Sequence, residues 1–438
     1  MEKESKLFQR IKEEIDRIPV IDLHTHLKLD LPNAKNLAEI LFYHLAGFEI
    51  VSAGGEVRDE LPNFSSPVVP MDNSIAEKAL SKYIPYLEFI KNTSTYYSLN
   101  RIFNDLYQFD FQNINSSNWR SLYDKVRKTG NDDTWTKEVL LEKAKIESSI
   151  TGLWWWVKKE PKGKWSETRL ILPNLEMTFW GIISDMKEDI LSGKSLDESV
   201  SRFMEKYLSE GISSFIFCDF PFVGFSYQEI FNQGGVEELA KKYLSGKTLS
   251  EDENKKLFYA LLKKTLEICN DKGIPWIMSV GTEGLFPKTV QSVKLLPSGI
   301  KISHDIFPEM AQVFYHYPKI KFLVMLTSFT LSQDLCVIAK QFPNVYPLAF
   351  QWHGFYPAFI EQMMEQRLDI LPYNRPIGFI SDAYCVEWSY GKLSLVKRVL
   401  TRVLTQRIEE GVYSEALALK IARRWLYDNP KEIYFGKE

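Results

Sequence analysis

Apolar runs of strand length alternate with helix-length amphipathic stretches along most of the chain, and this alternation constrains the fold more than any other feature. The first run, VIDLHTHL (20–27), follows a helical lead-in over 4–17, where Leu7, Ile11 and Ile15 repeat at helical spacing until Pro19 ends the pattern. Further strands are expected at Ser149–Val157, Arg169–Met177, Ser213–Phe222, Pro275–Gly281, Lys321–Thr327, Val345–Gln351 and Pro376–Ser381. Helices are expected between most of them, at Asp197–Leu208, Glu251–Asp271, Pro308–Tyr317, Leu331–Gln341 and Ala358–Leu368, with a last one over Ser414–Trp425. Continuous apolar strands separated by helices indicate a parallel sheet covered on both faces. Eight such units closing on themselves give an α/β fold of the (β/α)8 TIM-barrel type; an open doubly wound sheet is the competitor. Neither a G-x-G-x-x-G turn after the first strand nor a Walker loop occurs, which weighs against the open nucleotide-binding sheet.

Residues 28–145 break the alternation. They are predominantly helical in pattern, rich in aromatics, and read as a helical insert after the first strand of a single domain covering 1–438. A chain of 438 residues is long for one domain but suits a barrel with an insertion.

Composition narrows the function. A net charge of −3 and broken basic runs give no electrostatic footprint for nucleic acid or an anionic membrane, and no apolar stretch is long enough for a membrane span. The charged N-terminus lacks the apolar core of a secretory signal. Cys218, Cys269, Cys336 and Cys385 are widely spaced, which suggests reduced thiols in a cytoplasmic protein rather than a disulfide frame. A small-molecule enzyme is the expected class, with homo-oligomerisation open.

The sharpest chemical signal is His24-Thr25-His26. Alternation along a strand turns positions 24 and 26 to one face, together with Val20 and Asp22, and two imidazoles so placed can ligate one cation. With six histidines in the chain, such spacing is uncommon by chance. Asp382 follows the run IGFIS at the end of the last expected strand, where barrel enzymes carry their chemistry, and is the candidate third ligand. His44 lies on the first helix of the insert; Trp352 and His353 follow the seventh strand and are placed to line the mouth. His304 and His316 carry weaker signals. Glu176, Asp219 and Glu283 lie near strand ends, where surface or capping roles outweigh a general-base role. The triple Trp154–Trp156 reads as core. No G-x-S-x-G elbow is present.

The anchors DLHTHL (22–27), LAEILFYHL (37–45) and the segment from KFLVML to ISDAY (321–384) resemble the uronate isomerases, a branch of the amidohydrolase superfamily. The resemblance implies one divalent metal on His24, His26 and Asp382, zinc foremost with manganese or iron as alternatives, and conversion of glucuronate or galacturonate to its ketose. It implies that His44 works near the substrate and that Trp352 lines the site. Departures accompany it. Tyr384 stands where the family carries an arginine that grips the sugar acid. Leu45 replaces the tyrosine after the insert histidine. LILPNLEM (170–177) holds no third-strand arginine, and Ser279 occupies the neighbourhood of the fifth-strand histidine. Tyrosine cannot supply the charge of a guanidinium to a carboxylate.

Two chemistries therefore stand as expectations. In the first, a sugar acid or related polyol is isomerised, with Asp382, or water held by it, shuttling a proton between adjacent carbons, His44 protonating the carbonyl oxygen, and Tyr384, Trp352 and His353 binding substrate. In the second, the same centre activates water for hydrolysis of an amide, ester or lactone, or supports a decarboxylation.

Overall fold

The structure is a computed structural model, and it describes residues 5–55, 72–153, 163–177, 179–217, 226–231, 234–284, 298–300 and 305–436. Seven parallel strands form one sheet in sequential order: β1 (Val20–Thr25), β2 (Ile146–Leu153), β3 (Ile171–Met177), β4 (Phe215–Phe217), β5 (Trp276–Val280), then β8 (Phe322–Leu326) and β9 (Val345–Phe350). The intervening β6 (Thr282–Gly284) and β7 (Ser298–Ile300) pair only with each other, as a short antiparallel ribbon that no periodicity in the sequence announces. Every residue of β1 is buried, as expected for a strand covered on both faces.

The two edges of the sheet are joined by residues 376–383. Ile377 N–H donates to the Pro347 carbonyl of β9 (3.0 Å), while Asp382 N–H donates to the His24 carbonyl (2.8 Å) and His26 N–H to that of Ala383 (2.8 Å). This segment corrects the expected strand Pro376–Ser381: it closes the barrel but makes no regular ladder. The reasons are local. Pro376 has no N–H to give, Ser381 N–H is taken by the Asp22 side chain (2.9 Å) rather than by a backbone carbonyl, and Asp382 turns into the left-handed region with φ of 51°. The second strand begins earlier than expected, at Ile146, and the fourth is short; Trp154–Trp156, Cys218 and Asp219 lie outside the described residues.

The helices occur where the apolar repeats indicate. The lead-in helix Lys6–Arg17 buries Ile11 and Ile15 and is capped by Ser5, whose side chain accepts from Phe8 N–H. Glu251–Lys272 starts on a Ser250–Glu253 capping box and ends on Gly273 in the left-handed conformation. Between β1 and β2, helices run through Leu37–Leu41, His44–Ser52, Asn73–Tyr83, Ser94–Tyr107, Trp119–Thr129 and Asp133–Lys137.

The longest helix, Val386–Glu409, has no counterpart among the expected elements. It is buried around most of its circumference and carries Glu387, Lys392 and Lys397 inward, so the one-sided pattern of a surface helix is missing. It holds the insert to the barrel. A Cβ at Gly391 would come within 2.7 Å of Ile102, so glycine lets the helix Ser94–Tyr107 pack closely. One turn earlier, the Glu387 carboxylate accepts from Ala34 N–H (3.2 Å), Tyr107 Oη (2.9 Å) and Trp135 Nε1 (2.9 Å). Three insert segments thus converge on one buried acid.

Candidate metal centre

The C-terminal ends of parallel strands gather the chemistry. β1 delivers His24 from within the strand and His26 just beyond it; both are buried, and both turn Nε2 toward Oδ1 of Asp382, at 3.3 Å and 3.0 Å. Ligand atoms about 2.0–2.2 Å from one cation, at angles of about 90–110°, lie about 3 Å apart, so these separations match the edges of a coordination polyhedron. The three candidate ligand atoms all fall within 4.8 Å of one another. Two imidazoles and one carboxylate form a mixed nitrogen–oxygen set suited to a borderline divalent cation.

The electrostatics agree. Burial alone would raise the Asp382 pKa, but hydrogen bonding from His24 and His26 holds the carboxyl well below the usual range, so it is an anion ready to ligate. Burial works against a charged His24, yet Asp382, Glu176 and Asp22 together raise its pKa. Asp22, beneath the histidines, accepts from the N–H groups of Ser381 (2.9 Å) and His24 (3.4 Å) through Oδ1. Its burial outweighs those bonds and pushes it up to about 7.

A third acid enters from β3. Glu176 is 5% exposed, and its Oε2 stands 3.4 Å from Nδ1 of His26, the ring nitrogen turned away from Asp382. A carboxylate on the remote nitrogen of a ligating histidine fixes its tautomer and ring orientation. Gly152 on the adjoining strand makes room: a Cβ there would lie 2.3 Å from Glu176 Oε2. The surface or capping role expected for Glu176 is therefore corrected. The signal available was Asn174 and Glu176, two polar residues at strand spacing inside an apolar run, which only an inward face explains.

Tyr384 is half-buried and stacks on the His26 ring with centroids 4.6 Å apart and planes 25° apart. Tyr43, ahead of the insert helix, donates its hydroxyl hydrogen to the Asp382 carbonyl and in turn accepts from Lys392 Nζ at 2.9 Å. Burial lowers Lys392 to about 8 and raises Tyr43 well above its ordinary value. Neither Tyr43 nor Lys392 is among the site residues expected from the sequence; Lys392 is recognisable only once the long helix is known to be buried.

Of the other expected residues, His44 begins the helix His44–Ser52 directly after Tyr43, and Trp352 and His353 form a turn directly after β9, at the same end of the sheet. His353 is half-buried; the side chains of His44, Trp352 and Glu283, and all of His304, lie outside what is described. His316 packs against Tyr227 and Phe231 at a helix end, remote in contact from the metal-binding cluster. Among the described residues the cluster of His24, His26 and Asp382 is the one grouping with metal-binding geometry.

Comparison with known proteins bears directly on this arrangement. No family model matches the chain. A stretch of 119 residues is 27% identical to the uronate isomerase of Thermotoga maritima, covering 27% of this chain and 26% of that relative, so the match spans about a quarter of the relative's length. In three dimensions the likeness extends throughout. The crystal structure of a uronate isomerase from Thermotoga maritima superposes with a TM-score of 0.76 at 17% identity, covering 98% of this chain and 97% of the other. That of a glucuronate isomerase from Caulobacter crescentus gives 0.77 at 16% identity, covering 99% and 94%. This chain is similar in fold to the uronate isomerases over almost its whole length, and in sequence over about a quarter of it. Its fold is the one those structures share. A chain from Lactobacillus casei described as a metal-dependent hydrolase aligns less well, at a TM-score of 0.61 and 12% identity over 97% of each chain. Among the described residues no helix is long and apolar enough to cross a membrane.

Proposed function

We propose that the chain is a metal-dependent isomerase that interconverts the aldose and ketose forms of a sugar acid or closely related polyol. The observation that carries the reading is the convergence of His24 Nε2, His26 Nε2 and Asp382 Oδ1 at the open end of a barrel that matches uronate isomerases over almost its whole length. His24, His26 and Asp382 would hold one divalent ion, zinc by the preference of two imidazoles and a carboxylate, with manganese or iron also suited. When bound, the ion would hold neighbouring substrate oxygens and stabilise the negative charge of an enediolate.

The chain's own groups supply the rest. A base removes the proton from the carbon beside the aldehyde, and the electron pair forms the enediol double bond as the aldehyde oxygen gains a proton. The first proton then returns to the former aldehyde carbon, while the neighbouring hydroxyl gives its proton back to the acid that protonated the aldehyde oxygen, leaving a ketone. Asp382, whose Oδ1 is directed at the histidines, or water held by it, is the proposed proton carrier between the two carbons. His44, whose backbone adjoins Tyr43, is proposed to protonate the carbonyl oxygen. Tyr384, which stacks on His26, is proposed to bind the sugar, with Trp352 and His353 as further walls of the site. The free thiols of Cys269, Cys336 and Cys385 are consistent with a cytoplasmic enzyme.

The experiment supplies D-glucuronate and D-galacturonate to the metal-loaded enzyme in heavy water. A ketose product, with deuterium appearing in product or recovered substrate, supports the reading. No ketose from either sugar acid, together with turnover of a lactone, ester or amide panel, would transfer the site to the hydrolytic alternative, which Tyr384 in place of a guanidinium favours.

A further inference from the structure

Asp382 presents its carboxylate from a backbone conformation that L-residues seldom occupy, φ of 51°. Aspartate tolerates this region better than most, but something must hold it there. Its N–H is fixed to the His24 carbonyl at 2.8 Å. Its carbonyl is fixed from the opposite side by the hydroxyl of Tyr43, which arrives from the helical insert. Both polar groups of the residue's main chain are therefore tied, one to the strand that carries the histidines and one to the insert.

Behind Tyr43 stands Lys392. The residue is 4% exposed, and its ammonium donates to Tyr43 Oη at 2.9 Å and lies over the rings of Tyr43 (4.8 Å) and Phe355 (5.5 Å). Among the described residues no carboxylate lies within ion-pair distance of it. As packing alone this is a poor solution, because an apolar side chain of similar length would fill the space without the cost of burying a charge. As the head of a hydrogen-bonded chain it has a use. The ammonium polarises the Tyr43 hydroxyl, and a polarised hydroxyl is a stronger donor to the Asp382 carbonyl. Trp388 keeps Tyr43 in line: the two rings lie 4.9 Å apart, and Trp388 Nε1 is itself anchored on the Ile40 carbonyl at 2.9 Å.

We infer that Tyr43 and Lys392 are positioning residues for Asp382, a relay from ammonium to hydroxyl to backbone carbonyl that holds the carboxylate in ligating register with His24 and His26. The inference rests on the metal-centre reading above. Neither residue makes a hydrogen bond or ion pair to the carboxylate itself, so the positioning runs through the main chain, while the Lys392 charge also favours the carboxylate from a distance.

The test titrates metal-stripped full-length protein with cobalt(II), reading the visible absorption band and the dissociation constant by chelator competition, and records the melting temperature of each metal-free protein. Tyr43→Phe keeps the ring and removes the bridge; Lys392→Met keeps the length and removes the charge. Each is expected to weaken cobalt binding by about tenfold to a hundredfold and to alter the band, the range seen when outer-shell partners of metal ligands are lost. The metal-free melting temperature is expected to hold for Tyr43→Phe and to hold or rise for Lys392→Met. Binding and band within twofold of wild type in both variants would overturn the inference, as would weakened binding that merely follows a falling melting temperature. If wild type and His24→Ala bind cobalt equally poorly, the metal-centre reading itself has failed, a result distinct from either.

Discussion

Nε2 of His26 and Oδ1 of Asp382 stand 3.0 Å apart across a chain separation of 356 residues, and Nε2 of His24 reaches the same oxygen at 3.3 Å. The contact depends on how the barrel closes. β1 and the 376–383 segment exchange backbone bonds on both sides of Asp382, so the residue cannot shift along the strand without breaking the Asp382–His24 and His26–Ala383 pairs. The ligand geometry is thus a property of the closing seam.

The carboxylate of Glu176 stands 3.4 Å from the other ring nitrogen of His26, and Gly152 leaves the space it occupies. Glu176→Gln and Gly152→Ala are expected to weaken metal binding by about tenfold or more while leaving the melting temperature within a few degrees, because the strand pairing around both positions is untouched. Calorimetric titration of the stripped proteins checks this. Wild-type affinity in a fully folded Gly152→Ala protein would show that Glu176 does not act on the centre.

Glu387 is a structural anchor rather than a part of the site. Its removal strands three buried donors, on Ala34, Tyr107 and Trp135. Glu387→Ala is expected to destabilise the fold by about 3 kcal/mol or more, since each orphaned buried donor costs about 1–3 kcal/mol. Urea unfolding measures it, and a loss below about 1 kcal/mol would contradict the anchoring role.

The alternation of apolar runs and helices made the architecture legible, and the HxH pair with a distant aspartate made the ligand trio legible, because both reside in local periodicity: strand spacing puts His24 and His26 on one face, and an apolar run ending in Ser-Asp puts Asp382 at a strand end. What escaped depends on partners remote in sequence. The 376–381 segment has the composition of a strand, but side-chain capping by Asp22 and the left-handed turn at Asp382 replace its ladder. Glu176 lies in the site only because Gly152 on a neighbouring strand admits it. Lys392 and Tyr43 meet across 349 residues, on a helix whose buried charges hide its periodicity.

Lys397, on that same helix, gives a pH signature away from the metal. Its ammonium is buried and donates to the Asp16 and Ile18 carbonyls at 3.1 Å and 3.3 Å, at the end of the first helix, and burial lowers its pKa from 10.5 to about 8. Between about pH 8 and 10.5 the unfolded chain binds a proton there that the folded chain has released, so this group's contribution makes stability rise with pH in that window. Below it, the folded protein carries the full cost of a buried charge. The stability of Lys397→Met relative to wild type is therefore expected to be greatest below pH 8 and to decline toward pH 10.5, by at most about 1.4 kcal/mol per pH unit. A stability difference that stays flat from pH 7 to 10 would contradict it.

The most direct test of the metal centre is the metal content of the purified full-length chain by elemental analysis, set against His24→Ala, His26→Ala and Asp382→Ala proteins prepared identically. The convergence of two imidazoles and one carboxylate predicts close to one divalent ion per wild-type chain and near-complete loss in each variant, with folding preserved. Folded wild-type protein that takes up no stoichiometric metal, even when supplied with zinc or manganese, or variants that retain it, would contradict the account.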